Sequence, residues 1–229
     1  MSGPLVIAHR GAAARETENS LAAFRAARAL GADAVELDIH ATRDGGLVVH
    51  HDPHVQGLAI ADAPLAEVRK RRLANGETVP TLEEALDAIL PDLTAFVEVK
   101  QLAGQWDAAL LAVLDRAGTP ERVAVHAFDH PLVRRLGQAR PALHRGLLVE
   151  RLPADPLSTL EEAGAEALWV RWDRITGAAC GLLHRAGLRL FAWTVDEPAQ
   201  LRRLLGLGVD GLCTNHPDRG RQAVDSLPT

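Results

Sequence analysis

Several scarcities narrow what this chain can be. It holds only two cysteines, Cys180 and Cys213, at positions that match no metal-binding spacing. They read as two buried free thiols in a reducing, cytoplasmic setting. It holds only two lysines, Lys70 and Lys100, against many arginines, which singles out Lys100 because it lies at the end of an apolar run. No stretch of 18 apolar residues occurs, so no membrane span is expected. The start, MSGPLVIAHRG, has no basic segment followed by a long apolar one, so no signal peptide is expected. Basic charge is also short: the net charge is −5, and the run Arg69 to Arg72 reads as a solvated helix face. A nucleic-acid partner is therefore not expected.

What is present is a regular alternation. With 229 residues, 47% of them hydrophobic, the chain can bury a sizeable core. Short β-branched or apolar runs stand at 5–9, 34–39, 47–51, 95–99, 123–128, 145–150, 167–172, 190–195 and 209–214. Between most of them lie amphipathic stretches such as SLAAFRAARALG, TLEEALDAIL, GQWDAALLAVLDRAG, TGAACGLLHRAG and EPAQLRRLLGLG. Several open on Ser or Thr and close on Gly, as capped helices do. Strands alternating with helices predict βαβ units and a parallel sheet.

Nine strands need one reduction. Only seven residues, 40 to 46, separate Ile39 from Leu47, and they include Asp44-Gly45-Gly46. A parallel crossover needs about ten or more residues, whereas Asp-Gly-Gly is a hairpin signal. The 47–51 run therefore reads as an antiparallel excursion, and its removal leaves eight βα repeats: a single-domain (β/α)8 TIM barrel over 1–229. The irregular stretch at about 52–80, with Asn75-Gly76 and Pro80 as turn signals, reads as a small insertion on the active-site side.

Polar residues cluster late in the apolar runs, at the strand ends where such barrels place their sites. Glu36 and Asp38 are spaced i, i+2 and so share one strand face, and Glu98 and Lys100 repeat that spacing on the next barrel strand. Three converging carboxylates suit a hard divalent cation such as Mg²⁺ or Ca²⁺. The same residues also suit a buried ion network in which Arg10 and Lys100 neutralise them. His9 and His51 each end a run beside this cluster, and two imidazoles about one phosphate suit phosphodiester cleavage. His50 is expected to face the other way, and His126 is left undecided.

These residues fall in an order that resembles the glycerophosphodiester phosphodiesterases: HRG at 9–11, ETENS at 16–20, GADAVELDIHATRDGGLVVHHD at 31–52, PTLEEAL at 80–86 and VEVK at 97–100. AFD at 127–129, AWTVDEP at 192–198 and GVDGLCTNHPD at 208–218 extend the likeness over nearly the whole chain. The resemblance implies a TIM barrel that hydrolyses small glycerophosphodiesters, such as deacylated phospholipids, to sn-glycerol 3-phosphate and an alcohol. It implies that His9 and His51 act as the acid/base pair and that Glu36, Asp38 and Glu98 hold the cation. It further implies that Arg10 and Lys100 meet the phosphate and that Asn19 lines the mouth. Trp193 would either wall the glycerol or fill the core. A phospholipase D-like or phosphoinositide-cleaving relative and an idle phosphate-binding barrel are the alternatives. The chain departs from the family pattern in lacking Arg-Thr-Thr after His51-Asp52, in Asp196 for the usual Asn, and in His126 for a small polar residue. The last two are expected to add proton-sensitive groups near the mouth.

Overall fold

The computed structural model describes residues 3–90, 92–117 and 119–227. Each apolar run named above forms a strand. The chain order is β1 (Leu5–His9), α1 (Leu21–Ala29), β2 (Ala34–Ala41), β3 (Leu47–Val49), β4 (His54–Val55), β5 (Leu58–Ala59), α2 (Leu65–Val68), α3 (Leu82–Ile89) and β6 (Thr94–Gln101). It continues with α4 (Asp107–Arg116), β7 (Val123–Ala127), α5 (His130–Ala139), β8 (His144–Val149), α6 (Pro156–Ala163) and β9 (Ala167–Arg171). The last elements are α7 (Gly177–Arg185), β10 (Arg189–Trp193), α8 (Pro198–Leu207), β11 (Gly211–Thr214) and α9 (Pro217–Asp225). Gly118, which closes one of the amphipathic stretches, lies outside the described residues.

Strands β1, β2, β6, β7, β8, β9, β10 and β11 pair in parallel, and β1 joins both β2 and β11, closing an eight-stranded barrel. Strand β3 runs antiparallel to β2, with Ile39 opposite Val49 and Ala41 opposite Leu47, as the short Asp-Gly-Gly connection requires. It ends at Val49, two residues before the expected end of the run. There the His50 ring bonds the Asp52 carbonyl at 2.9 Å, and Pro53, which has no N–H to give a ladder, follows.

The helices start where the sequence marks them. Ser20 accepts from Ala23 N at the head of α1, and Thr81 and Glu84 form a reciprocal capping box on α3. Two packed layers result. Outside the barrel wall, residues such as Phe24, Leu37, Leu86 and Leu132 bury between strands and helices. Inside it, Ile7, Phe96, Leu148, Trp169, Phe191 and Cys213 fill the bore. The Trp169 ring lies 5.0 Å from Phe96 and 4.7 Å from Phe191. Small residues make room for these rings: a Cβ on Gly146 would stand 2.8 Å from the Trp169 indole nitrogen. The aromatic plug makes the barrel a floor rather than a pore, and the inward residues one period further along each strand form the site above it.

Residues 52–80 carry the small β4–β5 hairpin and α2. Val55, Ile60, Val68, Leu73 and Val79 gather with Val48 into a satellite core. Glu77 from this excursion accepts from the backbone N–H of Leu21 (3.0 Å) and of Ala22 (3.3 Å), so its carboxylate sits on the N-terminus of α1. Among the described residues no helix is long and apolar enough to cross a membrane.

The turn after β1 is the tightest backbone approach near the mouth. Gly11 adopts φ +82°, and a Cβ there would lie 2.7 Å from the backbone carbon of Ala23 in α1. Gly11→Ala is expected to lower stability by about 3 kcal/mol, since both left-handed strain and a backbone clash are introduced. A lower urea midpoint reports it; an unchanged midpoint would show that the turn can relax.

Candidate active site

The parity of the strands decides which side chains meet. Register places Asp38 opposite Glu98 and Glu98 opposite His126, so β2, β6 and β7 send inward polar groups to one level of the bore. One cavity of about 160 Å³ is lined by His9, Arg10, Glu36, His51, Glu98, Lys100 and Trp193, together with His126, Phe128 and Cys213. Asn19 and Asp38 are buried immediately behind this surface. His51 reaches it from the loop after β3, not from the strand itself.

Asp38 is the most heavily compensated carboxylate. Its Oδ2 accepts from Asn19 Nδ2 at 2.8 Å and lies 3.1 Å from Arg10 Nε, and its Oδ1 lies 2.9 Å from Lys100 Nζ without hydrogen-bond alignment. Burial opposes its ionisation, but Lys100 and Arg10 together outweigh that effect and hold its carboxyl below the ordinary range. Glu98 has a 2.7 Å ion pair to Lys100, and burial and the charge of Asp38 push it up to about 7. Glu36 accepts a 3.1 Å hydrogen bond from the Arg10 backbone N–H. Burial, then Asp38 and Glu98, raise Glu36 well above the usual carboxylate range.

Arg10 and Asn19 both hold left-handed backbones, φ 55° and 56°. That conformation costs a residue with a Cβ about 1–2 kcal/mol. At Arg10 it lets one residue aim its N–H at Glu36 and its guanidinium at Asp38, with Glu18 accepting from Nη1 at 2.8 Å.

The two predicted histidines are each oriented by a neighbour. Asn215 donates from Nδ2 to Asp196 Oδ2 and from its backbone N–H to Asp196 Oδ1, both at 2.8 Å. A carboxylate only accepts, so the Asn215 carbonyl oxygen faces His9, 2.8 Å from Nδ1. His9 Nδ1 therefore carries the hydrogen, and Nε2, 4.0 Å from Glu36 Oε2, presents its lone pair. Burial, followed by Arg10, lowers its pKa below that of a free imidazole and favours the neutral ring. His51 Nδ1 meets Asp52 Oδ1 at 2.8 Å, which leaves Nε2 as its exchangeable nitrogen by the same reasoning.

The residue that sequence reasoning left undecided, His126, sits among the carboxylates. One ligand atom each from Glu36, Glu98 and His126 lie within 4.8 Å of one another, a buried group that can bind a metal ion. The two departures from the family pattern, His126 and Asp196, both have shifted ionisation. Burial takes His126 down to about 3. For Asp196, burial is outweighed by hydrogen bonds from Asn215 and Thr214, and its carboxyl stays below the ordinary range. Asn215, the residue after β11, carries no motif signal of its own, and its contact with His9 needs the barrel closed.

Residues 9–219 match the model of the glycerophosphoryl diester phosphodiesterase family. A glycerophosphodiester phosphodiesterase of Caldanaerobacter subterraneus subsp. tengcongensis is 32% identical over 231 residues, spanning 93% of this chain and 95% of the relative. The crystal structure of a glycerophosphodiester phosphodiesterase from Parabacteroides distasonis superposes with a TM-score of 0.89 at 25% identity, covering 98% of both chains. An Oleispira antarctica phosphodiesterase, solved in complex with the product sn-glycerol-3-phosphate, gives 0.89 at 26% identity over 97% of both chains.

The raised pKa of Glu98 carries a testable sign. Folding favours its neutral form, so its contribution to the cation-free protein is full below the free-glutamate pKa of 4.5 and is lost as pH rises through about 7. Glu98→Gln is therefore expected to gain stability relative to the unsubstituted chain between those limits, in unfolding measured in the presence of a chelator. A constant difference across that window would contradict the assignment.

Proposed function

The chain belongs to the glycerophosphoryl diester phosphodiesterase family, and from that membership we propose that it hydrolyses glycerophosphodiesters, the deacylated form of phospholipids, to sn-glycerol 3-phosphate and an alcohol. The observation that carries this reading is that one cavity is lined by two independently oriented histidines, two carboxylates, Arg10 and Lys100. Proton carriers and anion partners of that kind together suit phosphodiester cleavage better than phosphate storage.

Glu36, Asp38 and Glu98 would hold a divalent cation, Mg²⁺ or Ca²⁺ in this reading. Three ionised carboxylates against Arg10 and Lys100 leave one net negative charge. A bound dication would turn that into one net positive charge, ionise both glutamates and polarise a phosphoryl oxygen. The chain's own groups do the rest. Arg10 and Lys100, both already turned toward Asp38, face the phosphate, the first as a planar fork and the second as a point charge. His9, neutral and with Nε2 bare, takes the proton of the attacking hydroxyl. His51, braced through Nδ1 by Asp52, gives its Nε2 proton to the leaving oxygen, and the two exchange roles as the cycle closes. Asn19 keeps Asp38 in place from behind. Trp193, whose ring meets Phe128 edge-on at 5.6 Å, forms an apolar wall for the glycerol or the alcohol. The buried free thiols of Cys180 and Cys213 suit a cytoplasmic setting.

Release of glycerol 3-phosphate from glycerophosphocholine and glycerophosphoethanolamine, with Mg²⁺, Ca²⁺ or EDTA, tests this reading. Activity is expected to require the cation, and His9→Ala and His51→Ala are each expected to lower kcat by about 10²–10⁴-fold. Full turnover in EDTA would remove the cation from the mechanism, and unchanged turnover in both variants would remove the histidines. Asn215→Ala is expected to lower kcat by at least about tenfold, because His9 loses the acceptor that fixes its tautomer; an unaffected rate would make that contact incidental.

A further inference from the structure

His126 takes no part in the proton transfers above, yet it occupies a costly place. Its side chain is 1% exposed, and Nδ1 is buried without a hydrogen-bond partner among the described residues. An unmet buried ring nitrogen costs about 1–3 kcal/mol. The ring is stacked on Trp169 at 4.4 Å with planes 9° apart, so its orientation is held by the aromatic floor. Nε2 lies 3.9 Å from Glu36 Oε1, too far for a hydrogen bond and near enough to share a ligand. A ring nitrogen within 4.8 Å of an oxygen of each of two carboxylates is the arrangement of a mixed nitrogen–oxygen metal site.

We infer that His126 is a nitrogen ligand to the cation proposed for Glu36, Asp38 and Glu98, and that it biases the site toward first-row transition ions such as Mn²⁺, Co²⁺ or Zn²⁺ over Ca²⁺ and Mg²⁺. The inference rests on the cation reading given above and refines it. Ca²⁺ and Mg²⁺ take oxygen ligands almost exclusively, while imidazole suits the transition ions and strengthens their binding along the Irving–Williams order. A ring pinned by stacking also arrives preoriented, which favours a fixed coordination geometry.

Electron spin-echo spectroscopy of the Mn²⁺-loaded full chain reads the ligand directly and needs no turnover. Modulation from an imidazole ¹⁴N is expected, to vanish when histidine is supplied as ¹⁵N, to persist in His9→Gln and His51→Gln, and to be lost in His126→Gln. Mn²⁺ affinity of His126→Gln is expected to fall about tenfold or more, with a much smaller change for Ca²⁺. Bound Mn²⁺ without imidazole modulation would overturn the inference while leaving the cation reading intact, and so would modulation that disappears with His9 or His51. Should His126→Gln fail to fold, the labelled unsubstituted chain and the other two variants still decide the matter. Failure of the unsubstituted chain to bind either Mn²⁺ or Ca²⁺ would overturn both readings.

Discussion

Mutual repulsion among Glu36, Asp38 and Glu98, three carboxylates buried in the mouth of one barrel, is the constraint to which the surrounding structure answers. Taking even one such charge out of water costs several kcal/mol after relaxation. Asp38 receives the most compensation, from Arg10, Lys100 and Asn19. The consequence is a division of labour: one carboxylate is fixed as an anion, and the two glutamates are left short of positive charge. The left-handed backbones of Arg10 and Asn19 belong to the same balance, since both residues reach Asp38 from positions that ordinary geometry would turn elsewhere. Strain there and unfavourable ionisation at Glu36 and Glu98 are two forms of one stored cost.

The eight-fold alternation was legible because strand and helix periods differ, and because the seven-residue gap before Leu47 excludes a parallel crossover. Inward parity made Glu36, Asp38, Glu98 and Lys100 readable as one group. What was not legible lies in how those groups partition. Equal spacing says that Glu36 and Asp38 share a face, but not that Arg10 offers its backbone to one and its side chain to the other. Asn19 was readable only as a mouth residue, whereas it touches Asp38 through both its amide atoms. Strand β3 ends at Val49, where the His50 ring bonds the Asp52 carbonyl and Pro53 follows, and no periodic signal in the sequence marks that end.

His126 shows where a motif-based reading runs thin. It stands inside an unremarkable apolar run, VAVHAF, and only the register of β7 against β6 sets it level with Glu98. The chain's other departure, Asp196, has an explanation in the same terms. Its carboxylate gathers hydrogen bonds from Asn215 and Thr214 and so fixes which face of the Asn215 amide meets His9. Both departures are thus placed by their neighbours: one imidazole lies against the Trp169 ring, and one carboxylate orients the Asn215 amide.

The Glu77 carboxylate on the N-terminus of α1 ties the excursion after His51 to the barrel wall. The excursion that carries Glu77 also follows His51, so the rim beside one histidine is pinned to the helix that follows the other. Swinging that rim outward would strip Leu21 and Ala22 of their acceptor and pull apart the satellite core built on Val48. The excursion is thus tied to α1 through one carboxylate and to β3 through its own apolar cluster. Loss of that one carboxylate would therefore loosen the excursion and the start of the helix together.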